Sequence, residues 1–301
     1  MLGVTNVHFF DKKNIIDKTI IKIKADDPTH PRIIETSYTD YISKAQRKIL
    51  KYLQSIPVPD YLYSGIKRKS FIDNGKAHTG KKNVYKLDIS KFFPNTSRNK
   101  VYHFFLDKLE TSPDVAQILT NLTTVSISDF KDRENYSQIQ QFIIEKKIKQ
   151  NTHLMTGIAP SVILSFLVNI EMFEQIYELC MPYQITMTVY VDDMVFSSYN
   201  DIPAFLRKKI CTVIRSFGYS LSSNKIEYYN RHANKKITGV IIDKQGTPKT
   251  PNSMQKAIYS DLCEYKDTQS DDVKKRLLGR VMVANAIDNS FSALKKSLQQ
   301  K

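Results

Sequence analysis

The sequence predicts an α+β fold in which an antiparallel sheet packs on helices, and three features lead to this prediction. Residues 84–89 and 189–197 carry the alternating and β-branched apolar residues that are typical of strands, with a turn inside the second run. Residues 40–54 and 158–181 have the apolar spacing of packed helices. Residues 252–301 are helical in pattern and basic. Strands and helices therefore coexist in a chain that is long enough for a large core.

The composition is that of a basic globular protein. The chain has 301 residues, of which 41% are hydrophobic, and its 45 lysines and arginines against 30 acidic residues give a net charge of +15. The isoelectric point is about 9.5. Such an excess favours a polyanionic partner, with nucleic acid first and an anionic membrane surface second.

Three features bear on location and cofactors. No apolar run approaches the roughly 18 residues of a membrane span, and residues 1–10 lack the pattern of a signal peptide. Cys180, Cys211 and Cys263 are scattered, which argues against a disulfide framework and against a zinc cluster. We therefore expect a cytoplasmic protein with reduced thiols and no membrane partner.

The N-terminal part of the chain is expected to begin with two strands. Residues 12–36 alternate apolar and charged side chains, and Pro28 and Pro31 divide them, which predicts a hairpin. The helix at 40–54 follows and stops at the next prolines. Residues 64–82 are basic and contain glycines, so they form either a phosphate-facing surface or a solvated loop.

Helical patterns dominate between the two strand runs. Residues 97–110 and 113–125 are helical in pattern, whereas 127–150 are charged and amide-rich and predict either a helix or a mobile insertion. Gly157 and Pro160 mark the start of the apolar helix before the second strand run.

Short elements follow the second strand run. Residues 203–217 predict an amphipathic helix, and residues 235–243 predict a strand pair or a strand end. Residues 246–248 then break the chain before the helical C-terminal segment.

Residues 190–197 place two adjacent carboxylates, Asp192 and Asp193, at a turn between two apolar strands. Burying two like charges side by side is costly, and a divalent cation bound by their oxygens would offset that cost. A surface turn that happens to hold two acids is the alternative. Asp88 ends the earlier strand, and if the strands are neighbours the three carboxylates can hold two Mg²⁺ ions roughly 4 Å apart.

These motifs resemble those of reverse transcriptases. Residues 190–193, Tyr-Val-Asp-Asp, are similar to the Tyr-x-Asp-Asp motif of that family. Residues 87–94 resemble its first catalytic motif in the Phe-Phe-Pro form of bacterial members. Residues 31–34 and 43–50 resemble the fingers, residues 156–165 the segment before the palm helix and residues 277–280 the thumb, in the same order along the chain.

The resemblance implies a right-hand polymerase with fingers, a palm and a helical thumb, acting as an RNA-directed DNA polymerase. The fingers would comprise residues 1–82 and a helical insertion at 106–152. The palm would comprise residues 83–105 and 153–244, the latter with the double-aspartate hairpin. The thumb would comprise residues 245–301.

Two further motifs resemble the signatures of retron reverse transcriptases. Residues 74–78 are similar to their Asn-Ala-x-x-His signature, with Gly75 in place of Ala, and residues 237–239 to their Val-Thr-Gly signature, with Ile in place of Val. The resemblance implies a bacterial enzyme of anti-phage defence that binds its own structured noncoding RNA. It would prime from a 2′-hydroxyl of that RNA, copy part of it into DNA from dNTPs, and act beside a separate effector protein. The residues that would contact the RNA are Asn74, His78, Ile237, Thr238 and Gly239.

The same resemblance assigns site residues. Asp88, Asp192 and Asp193 would be catalytic and would bind two Mg²⁺ ions, with Mn²⁺ as the alternative, and the Ile89 carbonyl would be a further metal ligand. The residues that would contact the incoming nucleotide are Arg32, Phe93, Thr156, Gly157 and Lys225.

Each of these nucleotide contacts has a plainer alternative. Phe93 would act as a gate against a ribose 2′-hydroxyl, or it is a core residue. Arg32 would pair with the triphosphate, or it is a surface arginine. Lys225 would protonate the departing pyrophosphate, or it is a solvated lysine. The histidines expected on the surface are His103, His153 and His232.

The chain departs from reverse transcriptases at three positions. Thr156 stands at the usual Gln, Val162 at the usual Pro and Phe166 at the usual Asn, and the Gln and Asn belong to the template and nucleotide pocket. These departures leave open a related defence polymerase of the abortive-infection type, which primes from protein or adds nucleotides without a template. A nucleic-acid-binding scaffold without catalysis is the remaining alternative.

Overall fold

The computed structural model of the chain describes residues 10–24, 31–37 and 39–299. Helices and strands are mixed along the described chain, in agreement with the α+β prediction. The elements of its first part are α1 (Lys12–Asp17), β1 (Thr19–Lys24), β2 (Arg32–Ser37), α2 (Asp40–Leu53) and α3 (Phe71–Lys76).

Strands β1 and β2 form an antiparallel hairpin, which confirms the two predicted strands. Residues 12–17 are helical rather than extended, and Ile15 on this helix packs into the main core. Pro28 lies outside the described residues. In α2, the predicted apolar face is buried and includes Ile42 and Ile49.

The next part of the chain contains a helix within residues 127–150, for which the sequence predicted either a helix or a mobile insertion. Its elements are β3 (Asn83–Ser90), α4 (Phe92–Asn95), α5 (Arg98–His103), α6 (Pro113–Thr123), β4 (Thr124–Ser126), α7 (Tyr136–Glu145) and β5 (Thr152–Leu154). Ile139 and Phe142 of α7 share a small core with Ile21 and Ile33 of the first hairpin. The insertion therefore packs on β1 and β2 as an ordered helix.

The third part contains a break that the sequence did not predict. Its elements are α8 (Ser161–Val168), α9 (Ile170–Cys180), β6 (Thr186–Tyr190), β7 (Asp193–Ser198), α10 (Ala204–Ser216), β8 (Ser220–Leu221) and β9 (Glu227–Tyr229). The apolar run at 158–181 is divided at Asn169, whose amide donates to the Ser165 carbonyl at 2.8 Å and accepts from the Tyr219 hydroxyl at 2.9 Å. These side-chain bonds compete with the helical backbone and separate α8 from α9.

A five-stranded antiparallel sheet forms the centre of the molecule. Its strands lie in the order β6-β7-β3-β8, and β9 also pairs with β3. One main core joins this sheet to the helices, with Leu87 and Phe196 from the strands, and Phe173 and Ile210 from α9 and α10, all buried in it. The sheet therefore rests on helices, as predicted.

The C-terminal part is a small sheet followed by helices. Its elements are β10 (Lys235–Ile237), β11 (Val240–Ile242), β12 (Pro248–Lys249), α11 (Asn252–Thr268), α12 (Asp271–Asp288) and α13 (Ser292–Gln299). These bounds agree with the predicted strand pair and basic helices. Across the described ranges, no helix combines the length and apolar character that a membrane span needs. The boundaries between fingers, palm and thumb stay a prediction.

Candidate active site

The double-aspartate stretch forms the turn of the β6–β7 hairpin. Val191 and Asp192 are the two residues between the strands. Val191 has a φ of 60°, a left-handed value that is strained for a β-branched residue. The Val191 N–H donates to the Ser64 hydroxyl at 2.8 Å, and the Ile89 N–H donates to the Asp192 carbonyl at 2.9 Å. These bonds hold the turn against β3 and the loop before α3.

Asp88 lies at the same end of the sheet as the hairpin turn. The register of β3 and β7 sets Asp88 directly opposite Asp193, and Asp192 precedes Asp193 in the turn. Asp88 is buried, and its carboxylate accepts hydrogen bonds from the Ser222 hydroxyl and, at 2.6 Å, from the Lys225 ammonium. The three predicted aspartates and Lys225 are therefore neighbours.

The carboxylates repel one another in a poorly solvated place. Burial raises the pKa of Asp192 to about 6, and the charges of Asp88 and Asp193 add to that rise. Burial also raises the pKa of Asp193, although the charge of Lys86 opposes the rise. Burial alone would lower the pKa of Lys225, but its bond to Asp88 and the nearby carboxylates raise it overall. The site thus holds negative charge that additional cations would stabilise.

The donor chemistry fits divalent metal ions. Carboxylate oxygens are the ligands that Mg²⁺ prefers, and the raised pKa of Asp192 reports a place that favours added positive charge. In the part of the chain that the structure describes, no three Asp, Glu, His or Cys side chains are arranged to hold one ion. Instead, the Lys225 ammonium contacts Asp88. In this arrangement Lys225 supplies positive charge to the carboxylates.

A cleft of about 290 Å³ opens beside Asp192. Most of the residues predicted to contact the nucleotide line it, whereas Lys225 contacts Asp88 instead. The lining residues that were predicted are Arg32, Phe93, Thr156 and Gly157. The cleft therefore brings the predicted nucleotide contacts together with Asp192.

Two lysines that the sequence analysis did not single out also line this cleft. Lys91 and Lys146 belong to the turn after β3 and the end of α7. Burial lowers the pKa of Lys91, and the charges of Lys146, Lys147 and Lys149 lower it further. An anion in the cleft would relieve this repulsion. Lys91 lies within the Phe-Phe-Pro motif and could have been noticed there, whereas Lys146 gave no signal because it comes from the insertion.

The two retron-like signatures contact each other. The Asn74 amide of the first donates to the Thr238 hydroxyl of the second at 2.8 Å. A Cβ at Gly75 would lie 2.7 Å from the Cβ of Val240, which explains why this chain has glycine where the signature has Ala. Helix α3 is therefore hydrogen-bonded to the β10–β11 hairpin and packs closely against it.

His78, which ends the first signature, contacts both strands of the β6–β7 hairpin. It is fully buried, with Nδ1 2.7 Å from the Ser197 hydroxyl and Nε2 2.8 Å from the Thr188 hydroxyl. Asn74 and Ile237 are fully buried as well, so these three side chains make internal contacts. Thr238 and Gly239 are partly exposed. An RNA that approaches the signatures would meet these two residues first.

The departures from the family have structural partners. Phe166 is buried and stacks on Phe173 with ring centroids 5.0 Å apart, so it belongs to the core. The Thr156 hydroxyl lies 2.7 Å from a carboxylate oxygen of Glu35. Glu35 in turn contacts His153, and the prediction of a surface position for His153 is wrong because its side chain is fully buried. No sequence pattern indicated this pair, since neither residue lies in a motif.

Comparison with known proteins shows sequence relatives of one kind. No protein-family profile matches the chain. The retron Ec83 reverse transcriptase of Escherichia coli is 25% identical over 262 residues, which cover 84% of this chain and 78% of that relative. The retron Se72 reverse transcriptase of Salmonella heidelberg (strain 579083-10) is 26% identical over 212 residues, which cover 68% of this chain and 49% of that relative.

A solved structure shares the fold. The apo telomerase of Candida tropicalis superposes with a TM-score of 0.51 at 12% sequence identity, covering 92% of this chain and 58% of the telomerase chain. At that identity the likeness concerns the fold alone, and it agrees with the predicted polymerase architecture. The sequence relatives support a reverse transcriptase of the retron type, and with it RNA-directed DNA polymerase activity.

Proposed function

We propose that this enzyme copies part of a cognate structured noncoding RNA into DNA that stays joined to the RNA, in bacterial anti-phage defence. The observation that carries the proposal is the register of β3 and β7, which sets Asp88 opposite Asp193 beside a cationic cleft. Nucleotidyl transfer needs carboxylates next to a place that binds phosphates. The retron part of the proposal is supported by the relatives and by the two paired signatures.

Asp88, Asp192 and Asp193, with the Ile89 carbonyl, would hold two Mg²⁺ ions, or Mn²⁺ in their place. Metal binding here would activate the attacking hydroxyl and stabilise the charge of the departing pyrophosphate. Lys225 would leave Asp88 when the metal site forms. Its side chain is half exposed, so the ammonium is free to turn towards the phosphates and to donate a proton to the pyrophosphate.

The cleft would receive the incoming dNTP. Arg32, Lys91 and Lys146 bring positive charge to it, which suits a triphosphate. The partly exposed ring of Phe93 would exclude a ribose 2′-hydroxyl, and Thr156 would line the same pocket. Contacts of these kinds orient the nucleotide for attack.

The remaining surface would bind the RNA and its DNA product. The net charge of +15 favours a polyanion, and the exposed Lys67, Arg68 and Lys81 lie in the segment before β3. Thr238 and Gly239 would contribute the contacts of the second signature. A separate effector protein would act with the RNA–DNA product in the cytoplasm.

Synthesis on the enzyme's own RNA tests this proposal. The purified protein is incubated with dNTPs, Mg²⁺ and a transcript of the structured RNA encoded beside its gene, recognised by inverted repeats and a branching guanosine. We expect DNA that remains attached to RNA after denaturation and is released from most of the RNA by ribonuclease. Equal synthesis on unrelated RNA, without any RNA–DNA linkage, would contradict a cognate template.

A second candidate is a defence polymerase that primes from protein or works without a template. Thr156 and Phe166 favour it, because the side chains that relatives of the wider family use in the template and nucleotide pocket are replaced, and Phe166 is in the core. In the same assay this enzyme would make DNA without added RNA. That DNA would stay attached to protein until a protease is added.

A further inference from the structure

A buried ion pair supports the wall of the cleft. Glu35 on β2 and His153 on β5 are both 0% exposed, and Glu35 Oε1 lies 3.0 Å from His153 Nε2. Removing two charges from water is costly, and replacing such a pair by apolar side chains is often neutral or stabilising. A contribution to stability alone therefore does not account for this buried pair. Its contacts with the cleft wall suggest a different role.

The second carboxylate oxygen of Glu35 binds the segment that lines the cleft. Oε2 accepts a hydrogen bond from the Thr156 N–H at 3.0 Å and lies 2.7 Å from the Thr156 hydroxyl. The backbone carbonyl of Glu35 accepts from the Gly157 N–H at 2.9 Å. A Cβ at Gly157 would come within 2.7 Å of that carbonyl oxygen, so the close approach requires glycine.

Hydrogen-bond chemistry defines which atoms of the pair carry hydrogens. His153 Nδ1 lies 3.0 Å from the Gln150 carbonyl, which only accepts, so Nδ1 carries a hydrogen. Nε2 faces the carboxylate, so a further proton lies between Nε2 and Glu35 Oε1. Burial by itself would raise the pKa of Glu35, but the bonds and charge of His153 and the bonds of Thr156 outweigh it, and the pKa is lowered. The Glu35 carboxylate therefore takes hydrogen bonds from His153 on one oxygen and from Thr156 on the other.

These contacts connect two parts of the nucleotide cleft. Arg32 and Ile34 line the cleft from β2, on the same strand as Glu35. Thr156 and Gly157 line it from the segment before α8. Glu35 is bonded to both of those residues, so the distance between the two linings depends on its side chain and backbone.

We propose that Glu35 and His153 are positioning residues that set the spacing between Arg32 and residues 156–157, and thereby the fit of the incoming dNTP. This inference rests on the proposed function of the cleft. The bonds found for Glu35 and His153 go to the cleft wall and to Gln150, and Asp88 is bonded to Ser222 and Lys225. Loss of the pair therefore weakens nucleotide binding more than it slows the chemical step.

The test compares steady-state kinetics of the full chain and its variants on a saturating RNA–primer substrate. In Glu35→Ala, the imidazole and Thr156 both lose their carboxylate partner, so the wall loosens. The KM for dNTP rises about tenfold while kcat changes by less than about threefold. Thr156→Val keeps the ion pair and removes only the hydroxyl, and it raises the same KM by about threefold.

A matched control separates positioning from general loss of stability. Asp261 is also a buried carboxylate and is bonded to Arg276 and Arg280 between α11 and α12. Asp261→Asn lowers the melting temperature to a similar extent and leaves the KM for dNTP at the wild-type value.

Three outcomes overturn the inference. The first is a wild-type KM for dNTP in both Glu35→Ala and Thr156→Val, with only the melting temperature lowered. The second is a fall in kcat without a rise in that KM. The third is an equal rise in KM in Asp261→Asn. If Glu35→Ala does not fold, Thr156→Val alone decides, and a wild-type protein that makes no DNA contradicts the proposed function itself.

Discussion

At the scale of single residues, Phe92 and Phe93 are adjacent in sequence but differ in surroundings. Phe92 is buried, with ring centroids 6.1 Å from Phe173 and 5.3 Å from Tyr219. Phe93 is partly exposed in the cleft. We expect Phe93→Ala to raise the incorporation of ribonucleotides relative to deoxyribonucleotides by roughly tenfold or more, because the smaller side chain leaves room for a 2′-hydroxyl. The ratio of kcat/KM for rNTP and dNTP measures this.

Phe92→Leu is the control for that substitution. We expect it to cost about 1 kcal/mol of stability, since it alters a packed core, and to leave the sugar preference unchanged. An unchanged sugar preference in Phe93→Ala would instead assign Phe93 to the core.

His78 makes stability depend on pH. Burial, with the charge of Lys82, lowers the pKa of His78 to about 3 in the folded chain, against 6.5 for an unperturbed histidine. Below pH 6.5 the unfolded chain takes up a proton that the folded chain does not, so stability falls as the pH decreases from about 6.5 towards 3. At pH 5 this amounts to about 2 kcal/mol.

The variant His78→Gln isolates this contribution. Glutamine retains a donor and an acceptor for Ser197 and Thr188 but does not titrate. We therefore expect the free energy of unfolding to fall between pH 7 and pH 5 in the wild type, and to fall by about 2 kcal/mol less in the variant. Denaturant unfolding at the two pH values measures this. An identical loss in both proteins would mean that His78 is not buried as a neutral ring.

At the scale of elements, Gly75 on α3 and Val240 on β11 determine how closely the two signatures pack. The Cβ of an alanine at position 75 would overlap Val240, so we expect Gly75→Ala to destabilise the chain by about 1–3 kcal/mol. Val240→Ala removes the opposing branches and should restore part of that loss in the double variant. Thermal unfolding of the four proteins of this double-mutant cycle measures the coupling. Additive effects would show that α3 and β11 are not in contact.

Elements with a local pattern could be predicted from the sequence. Strand alternation and the acidic turn were enough to predict β3, β6 and β7, whereas the register that sets Asp88 opposite Asp193 came from the structure. The break at Asn169 was not predictable, because it depends on Tyr219, far along the chain. For the same reason nothing near His153 in the sequence indicates burial, since its partner Glu35 lies on another element.

At the scale of the whole molecule, the net charge of +15 predicts how binding responds to salt. Lysines and arginines that neutralise RNA phosphates release the counterions bound there. We therefore expect the Kd for RNA to rise by roughly a hundredfold or more between about 50 and 200 mM salt. Fluorescence anisotropy with the cognate RNA and with an unrelated RNA of equal length measures this. Both should show a similar slope, with tighter binding of the cognate RNA throughout. A Kd that does not change with salt would argue against a phosphate-binding surface.

We propose that Asp88, Asp192 and Asp193 carry out DNA synthesis at the end of the central sheet. Primer extension on RNA by Asp192→Asn and Asp193→Asn, beside the wild type, tests it most directly. Glu171→Gln is the control, because Glu171 is an exposed carboxylate of α9 that pairs only with Lys108 among the ion pairs of the described residues. We expect both aspartate variants to keep RNA binding and to lose synthesis by about a thousandfold or more, whereas the control retains it. Synthesis at the wild-type rate by a folded Asp192→Asn or Asp193→Asn protein would show that the substituted carboxylate is not needed for DNA synthesis.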